Sequence, residues 1–152
     1  MSIKKLINPP FMIFLILVGI GLIFKFTPDG IVLEKNIFTN ILSLLAIVYW
    51  VRFSPPSFLV NRKALLGSYK TEKLIQSGVY KIVRHPIYSA DIVLGWGIFL
   101  FWPTVIVLLS VILLDIILFC WMHLEEKVLI EKFGNDYLEY KKKVPMFLPR
   151  IF

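Results

Sequence analysis

The sequence predicts an all-α integral membrane protein with four transmembrane helices, the last two forming a C-terminal helical hairpin. Hydrophobic residues make up 58% of its 152 residues, and the mean hydropathy is +0.78. A soluble domain of this size needs more polar side chains to cover its surface. The apolar residues also collect in four segments, which are Phe11–Phe24, Ile37–Val51, Ile87–Phe101 and Thr104–Met122.

The lengths of the segments are compatible with membrane crossing. The fourth comes close to the roughly 20 residues that cross a bilayer, whereas the first three need flanking residues or burial against each other. Lys25 and Pro28 follow the first segment in place of a small-residue cleavage site, which favours a retained signal-anchor helix. Pro103 separates the third and fourth segments and is expected to open the fourth helix, because the first helical position needs no N–H group.

The basic residues predict the orientation. They precede the first segment, fill the connection between the second and third, and follow the fourth, whereas the other two connections carry little net positive charge. The positive-inside bias therefore places both termini and the long connection in the cytoplasm, with the protein in a plasma or inner membrane. The residues concerned are Lys4, Lys5, Arg52, Arg62, Lys63, Lys70, Lys73, Lys81, Arg84, Lys127, Lys132, Lys141, Lys142, Lys143 and Arg150.

Several function classes are excluded by what the sequence lacks. Its one cysteine, Cys120, allows neither an internal disulfide nor a cysteine-based zinc site. The net charge of +7 is explained by loops that face anionic membrane lipids, so no nucleic acid partner is expected. There is also no glycine-rich nucleotide loop, HExxH motif or Ser-His-Asp candidate, so any cofactor must bind between helices and loops.

Breaks in the pattern divide the chain after residue 54. The stretch Ser54–Ser57, which contains two prolines, is expected to end the second helix, and Ser77-Gly78 is a turn signal in the long connection. The predicted units are an N-terminal helix pair (1–54) and a region of loop, hairpin and tail (55–152). The tail, Leu124–Lys143, is expected to be a helix that lies on the membrane surface or folds back on the hairpin. Its aromatic face consists of Leu129, Phe133, Tyr137 and Tyr140.

Polar residues gather at the ends of the hairpin. Pro86 favours the first helical position and keeps His85 outside the helix, at an entrance whose free N–H groups suit a carboxylate or a polar cofactor. The third helix starts and the fourth ends on the same side, so His85, Tyr88 and Glu125 are expected to converge. Spacing alone leaves open the alternative that they form a polar belt at the lipid headgroups.

The carboxylates of the hairpin have both structural and functional interpretations. Glu125 and Glu126 could be a solvated helix segment paired with nearby lysines, or the wall of a site. Asp91 and Asp115 lie inside apolar segments, where an ionisable group is costly. They are expected to be hydrogen-bonded within the bundle rather than catalytic.

Four motifs in sequence order suggest a family. They are Ser77–Tyr80, Arg84–Tyr88, Glu125-Glu126, and Phe133–Lys143 followed by Val144-Pro145 and Leu148-Pro149. With the hairpin length between them, they resemble the isoprenylcysteine carboxyl methyltransferase family over residues 71 to 150, about half of the chain. Members of that family are membrane-embedded methyltransferases that use S-adenosylmethionine without a Rossmann domain, which agrees with the missing nucleotide loop.

The resemblance implies a cytosolic cofactor pocket and assigns residues to it. The residues expected to contact S-adenosylmethionine are Tyr80, His85, Pro86, Ile87, Tyr88 and Glu125, with Lys73, Leu74 and Ile75 adding mainly backbone contacts.

The methyl acceptor is less defined by the resemblance. Trp121 stands where the eukaryotic enzymes place a substrate-binding arginine, so a prenylcysteine carboxylate would lack its partner. A carboxylate acceptor needs no general base, whereas an amine or hydroxyl would need one, and Glu126 or His85 would then be the candidate. The expected acceptor is a lipophilic small molecule or a lipid-modified cysteine.

Two other functions remain compatible with the sequence. Membrane reductases of the steroid-reductase-like group, which use NADPH, have a similar His-Pro-x-Tyr motif at a helix entrance, but the glutamate pair and the tail favour the methyltransferase. A non-enzymatic lipid-binding subunit would make the polar cluster a headgroup belt.

Overall fold

Helices form all the regular structure in the computed structural model, which describes residues 8–61 and 72–150. The α-helices of these residues are α1 (Pro9–Phe26), α2 (Ile37–Val60), α3 (Pro86–Phe101), α4 (Val105–Phe133) and α5 (Asn135–Lys143), and a 3₁₀ helix, Gly78–Lys81, precedes α3. The all-α prediction is confirmed. Lys4, Lys5, Arg62, Lys63 and Lys70, on which the predicted orientation partly depends, lie outside the described residues.

Three of the helices are long and apolar enough to cross a membrane, namely α1, α2 and α4. The fourth predicted span, α3, is apolar but has only 16 residues, about 24 Å of helix. Four crossings with cytoplasmic termini therefore stay a prediction. In contrast, α4 has 29 residues and a length of about 43 Å, which exceeds the roughly 30 Å of a hydrocarbon core. Its C-terminal turns can therefore lie outside the apolar layer.

The two short connections between helices meet at one end of the bundle. The Val32 N–H donates to the Pro103 carbonyl at 2.7 Å, and the Val105 N–H donates to the Gly30 carbonyl at 2.9 Å. This pairing ties the α1–α2 connection to the α3–α4 connection. The start of α3 and the end of α4 consequently lie at the opposite end, where the sequence predicts the polar cluster.

Small residues bring α2 and α3 close together. Gly97 lies so near α2 that a Cβ atom built on it would be 2.5 Å from the Cβ atom of Ala46. Small side chains at such contacts are typical of membrane helix pairs, because they allow the backbones to approach. The Tyr49 hydroxyl also hydrogen-bonds the Ser89 hydroxyl at 2.7 Å.

The two aspartates of the apolar segments, Asp91 and Asp115, are hydrogen-bonded across helix contacts. The Trp50 indole N–H donates to Asp91 at 3.0 Å between α2 and α3, and the Trp96 indole N–H donates to Asp115 at 2.9 Å between α3 and α4. These contacts agree with the expectation that the two carboxyl groups are hydrogen-bonded inside the bundle.

The predicted break in the second helix is wrong, because α2 continues through Pro55 and Pro56 to Val60. The two prolines remove two backbone donors, yet the helix continues around them. Ser54 and Ser57, which flank the prolines, are buried, and Ser57 donates its hydroxyl to the Phe53 carbonyl at 2.5 Å. Packing of this last part of α2 thus outweighs the local preference of proline. The proposed division after residue 54 falls inside this helix.

The predicted boundaries of the last two helices also change. Pro103 does not open α4, since Thr104 caps it and accepts a hydrogen bond from the Val107 N–H at 3.4 Å. Nor does the helix end at Met122, because it continues to Phe133. Gly134, with φ +55°, then turns the chain into α5, so the predicted tail helix is divided in two. A positive φ is a conformation that glycine adopts without the strain of a side chain.

The close approach of α2 and α3 gives a stability prediction. Gly97→Ala should lower the free energy of unfolding by about 1–3 kcal/mol, since the new methyl group would overlap Ala46. Gly21→Ala is the matched control, because a Cβ atom there has nothing within 4 Å. Thermal unfolding of both variants in detergent measures the difference, and equal melting temperatures would contradict the tight contact.

Candidate functional site

A cavity with about 680 Å³ of empty volume lies at the end of the bundle where α3 begins and α4 leaves the apolar region. This volume includes space that is open to solvent. All nine residues predicted to contact a cofactor line it, and so do six others. The lining residues are Asn61, Lys73, Leu74, Ile75, Tyr80, Arg84, His85, Pro86, Ile87, Tyr88, Glu125, Leu129, Phe133, Tyr137 and Tyr140.

Local backbone features place the first wall of the cavity. Gly78 has φ +60°, which starts the 3₁₀ helix that carries Tyr80. As predicted, His85 precedes α3 and Pro86 is its first residue. The rings of His85 and Tyr88 stack with their centroids 5.8 Å apart. The entrance of α3 therefore presents an imidazole and a phenol to the cavity.

Glu125 forms the opposite wall and is only 7% exposed. The Tyr88 hydroxyl donates a hydrogen bond to its Oε1 atom at 2.9 Å, and His85 Nδ1 lies 3.7 Å from its Oε2 atom. The structure thus brings His85, Tyr88 and Glu125 together, as the sequence predicts. A buried carboxylate needs such partners, because an unpaired one is strongly disfavoured in an apolar environment.

Glu126, the predicted base, is not among the residues that line the cavity. It is 3% exposed and is held by two cations: Arg84 Nη2 lies 2.6 Å from its Oε1 atom and Lys141 Nζ lies 2.6 Å from its Oε2 atom. Arg84 Nε also donates to Oε1 at 2.7 Å. Glu125 and Glu126 are therefore not a solvated helix segment, since both side chains are buried.

Trp121, the predicted substrate residue, also lies outside the cavity lining. It is 4% exposed and belongs to an apolar cluster with Met12, Leu118 and Met122. Tyr88 packs against the same cluster, so Trp121 lies behind the wall of the cavity on the apolar side of the molecule.

The tail forms the remaining wall. The Tyr140 hydroxyl donates to the Tyr80 carbonyl at 2.6 Å. The backbone N–H groups of Arg84 and His85 donate to the carbonyls of Pro145 at 2.9 Å and Met146 at 3.0 Å. The tail therefore folds back on the hairpin, which was one of the two predicted positions.

Sequence reasoning did not assign several lining residues to the cavity. The aromatic face of the tail was the available signal for Leu129, Phe133, Tyr137 and Tyr140, because a repeated apolar face must pack against something. For Asn61, at the end of α2, the sequence offered no signal, since α2 was expected to end earlier.

Burial keeps the tyrosines of the cavity neutral. It raises the pKa of Tyr80 to about 12, an effect that a hydrogen bond with Asn61 opposes and the charge of Glu125 supports. Burial likewise raises the pKa of Tyr137 and of Tyr140 above the ordinary value. At neutral pH these phenols keep their protons and can donate hydrogen bonds.

These features define what the cavity can bind. Aromatic rings can attract cations and stack on flat rings, and Glu125 adds carboxylate oxygens at the bundle side. The free N–H groups at the start of α3 and Lys73 suit an anionic group. The cavity therefore offers aromatic, acidic and basic groups to a polar ligand.

Comparison with known proteins shows that this sequence is similar to membrane methyltransferases. The sequence model of the phospholipid methyltransferase family matches residues 36–136, which include α2 and the hairpin. A methanethiol S-methyltransferase of Bradyrhizobium diazoefficiens is 33% identical over 113 residues, 66% of this chain and 38% of the relative. The protein-S-isoprenylcysteine O-methyltransferase of Xenopus laevis is 38% identical over 84 residues, 51% of this chain and 27% of the relative.

The human protein-S-isoprenylcysteine O-methyltransferase gives a similar match, 37% identical over 87 residues, 53% of this chain and 29% of the relative. The aligned part is thus well under half the length of these relatives. They confirm the resemblance found from the motifs, and because all three are named methyltransferases, they do not favour the reductase alternative.

The hydrogen bond of Tyr140 gives a prediction for the tail. Tyr140→Phe should lower the free energy of unfolding by about 1–3 kcal/mol, because the buried Tyr80 carbonyl loses its donor. Leu138→Ala on the same helix is the control, since Leu138 is 39% exposed. Chemical unfolding monitored by tryptophan fluorescence provides the comparison, and a Phe variant as stable as the control would argue against a firmly attached tail.

Proposed function

Because the chain belongs to the phospholipid methyltransferase family, we propose that it transfers a methyl group from S-adenosylmethionine to a lipophilic acceptor in the membrane. The observation that carries the proposal is the cavity in which His85, Tyr88 and Glu125 meet at the end of the transmembrane hairpin. This cavity is polar and lies next to the apolar part of the molecule.

The residues present fit the proposed methyl donor. Glu125 would face its positive charges, and the phenol rings of Tyr80 and Tyr88 would offer aromatic faces to its sulfonium or its adenine. Lys73 would pair with its carboxylate. His85 Nε2 is buried and makes no hydrogen bond among the described residues, and it lies 3.7 Å from Glu126 Oε1.

The donor, when bound, would supply an activated methyl group: a nucleophile of the acceptor forms a bond to the methyl carbon as the carbon–sulfur bond breaks and a neutral thioether leaves. The chain contributes orientation and exclusion of water, which are the main requirements of such a displacement. Tyr88 and His85 hold the Glu125 carboxylate in place. For an acceptor that must first lose a proton, His85 is the proposed base, since Glu126 is already bonded to two cations.

The proposed acceptor is a lipophilic molecule that approaches from the apolar side of the cavity. The apolar cluster of Trp121 and its neighbours lies behind the wall on that side, and Tyr88 connects this cluster to the cavity. The relatives act, by their names, on isoprenylcysteine and on methanethiol, so a prenylated cysteine and a small alkyl thiol are the two acceptors to test. Binding of the donor from the cytoplasm would agree with the predicted orientation.

Ligand titration of the purified protein in lipid nanodiscs tests the proposal. We expect S-adenosylmethionine to bind and NADPH not to bind, followed by transfer of labelled methyl to one of the two acceptors. Binding of NADPH alone would support the reductase, and binding of neither compound would support a lipid-binding subunit.

A substitution at the cavity wall gives a sharper prediction. Glu125→Gln keeps the shape of the side chain but removes its charge, so the dissociation constant for S-adenosylmethionine should rise about tenfold or more, on the order of 1.5–3 kcal/mol. Glu139→Gln is the control, because Glu139 is an exposed glutamate that pairs with Lys142 on α5. Calorimetry measures the dissociation constant for S-adenosylmethionine in both variants. Equal dissociation constants would show that Glu125 does not contact the donor.

A further inference from the structure

Three segments that are distant in sequence meet at the Glu126 carboxylate. Arg84 comes from the loop before α3, Glu126 from α4 and Lys141 from α5, and both cations lie 2.6 Å from the carboxylate. The segment Gly134–Leu148, called the strap below, runs from the end of α4 across the cavity. Tyr137 and Tyr140 of the strap line the cavity.

We propose that Glu126 is a positioning residue that fastens the strap over the cavity, and that release of this contact is the step that lets the methyl donor enter and its product leave. The inference rests on the proposed function for the identity of the ligand. The fastening itself rests on the contacts of the strap alone.

Arg84 connects the carboxylate to the strap at several points. Its guanidinium donates to Glu126 and, through Nη1, to the Lys141 carbonyl at 3.0 Å and to the Val144 carbonyl. Its backbone N–H donates to the Pro145 carbonyl at 2.9 Å. Glu126 thus orients the arginine that binds the strap backbone, and a change at Glu126 would be transmitted to the strap.

Lys141 is the part of the fastening that can open. Its side chain is 44% exposed, whereas those of Arg84 and Glu126 are 7% and 4% exposed. Water and salt can therefore compete for Lys141 but hardly for the buried pair. Gly134 is a suitable pivot, because it has a positive φ and open space around its Cα atom.

The far end of the strap reaches the transmembrane cluster. Phe147 packs edge-on against Phe119 of α4 with ring centroids 4.9 Å apart, and Met146 and Phe147 both contact the cluster that contains Trp121. Opening of the strap would therefore uncover the cavity and loosen its apolar side together. The geometry couples access for a polar donor to access for a lipophilic acceptor.

The chain offers a matched pair of lysines to test the fastening. Lys141 and Lys142 are neighbours on α5, and each has an ion pair of 2.6 Å, but the Lys142–Glu139 pair is 72% and 57% exposed. Exposed pairs contribute little to stability. Lys141→Gln should accelerate hydrogen exchange at the backbone N–H groups of Arg84 and His85 about tenfold in the ligand-free protein, whereas Lys142→Gln should not change it.

Stopped-flow binding of S-adenosylmethionine to the same two variants tests the role in ligand exchange. In Lys141→Gln both the association and the dissociation rates should rise by about tenfold while the dissociation constant changes much less, and single-turnover methyl transfer should stay unchanged. Lys142→Gln should match the unmodified protein. In Glu126→Gln, if it folds, the association and dissociation rates should rise as they do in Lys141→Gln.

The outcomes separate the two proposals. The fastening would be overturned if Lys141→Gln and Lys142→Gln showed the same hydrogen-exchange rates and the same kinetics of S-adenosylmethionine binding. The fastening would also be overturned if Glu126→Gln lost single-turnover methyl transfer while S-adenosylmethionine bound and dissociated at unchanged rates. That result would support a catalytic role for Glu126. If Lys141→Gln alone accelerates hydrogen exchange but no protein binds S-adenosylmethionine, the fastening stands, while the proposed function and the role in donor exchange both fail.

Discussion

Two adjacent carboxylates, those of Glu125 and Glu126, are buried near the end of α4, and the surrounding structure is arranged around the need to partner both. Neighbouring residues on a helix point about 100° apart, so the two carboxylates have largely different partners, and His85 lies between them, 3.7 Å from each. Tyr88 and His85 from the start of α3 approach Glu125, and Arg84 with Lys141 approaches Glu126. The loop and the tail must therefore meet at this one turn of α4, and the cavity is the space left between them.

The length of α4 makes this arrangement compatible with a membrane. A helix that ended with the apolar segment would place the glutamates at the edge of the hydrocarbon layer, where charges are costly. Because α4 continues to Phe133, its length of about 43 Å allows the turns that carry the glutamates to lie beyond the apolar layer, while its last turn packs on the tail. The turn at Gly134 then reverses the chain, which allows Lys141 to reach back to Glu126 across 15 positions of sequence.

Local signals in the sequence predicted the parts of the site that depend on local structure. Pro86 fixed the start of α3 and thereby the position of His85, and the common side of the two helix ends brought Tyr88 and Glu125 together. The role of Glu126 was not predictable in the same way, because its partner Lys141 becomes a neighbour only through the turn at Gly134. Tertiary packing likewise carried α2 through its prolines, against local preference, and so placed Asn61 at the cavity.

The different surroundings of the two glutamates suggest how one helix turn can serve two purposes. Glu125 has a phenol and an imidazole as partners, and in the proposed function its carboxylate faces a cationic ligand in the cavity. Glu126 has a guanidinium and an ammonium group, so its charge is already neutralised and adds little field to the cavity. If both carboxylates were left without cations, their repulsion would weaken the fold. If both were neutralised, the cavity would lose its attraction for a positive centre. Different partners for the two carboxylates are what the two proposals require, with Glu125 binding the ligand and Glu126 holding the strap.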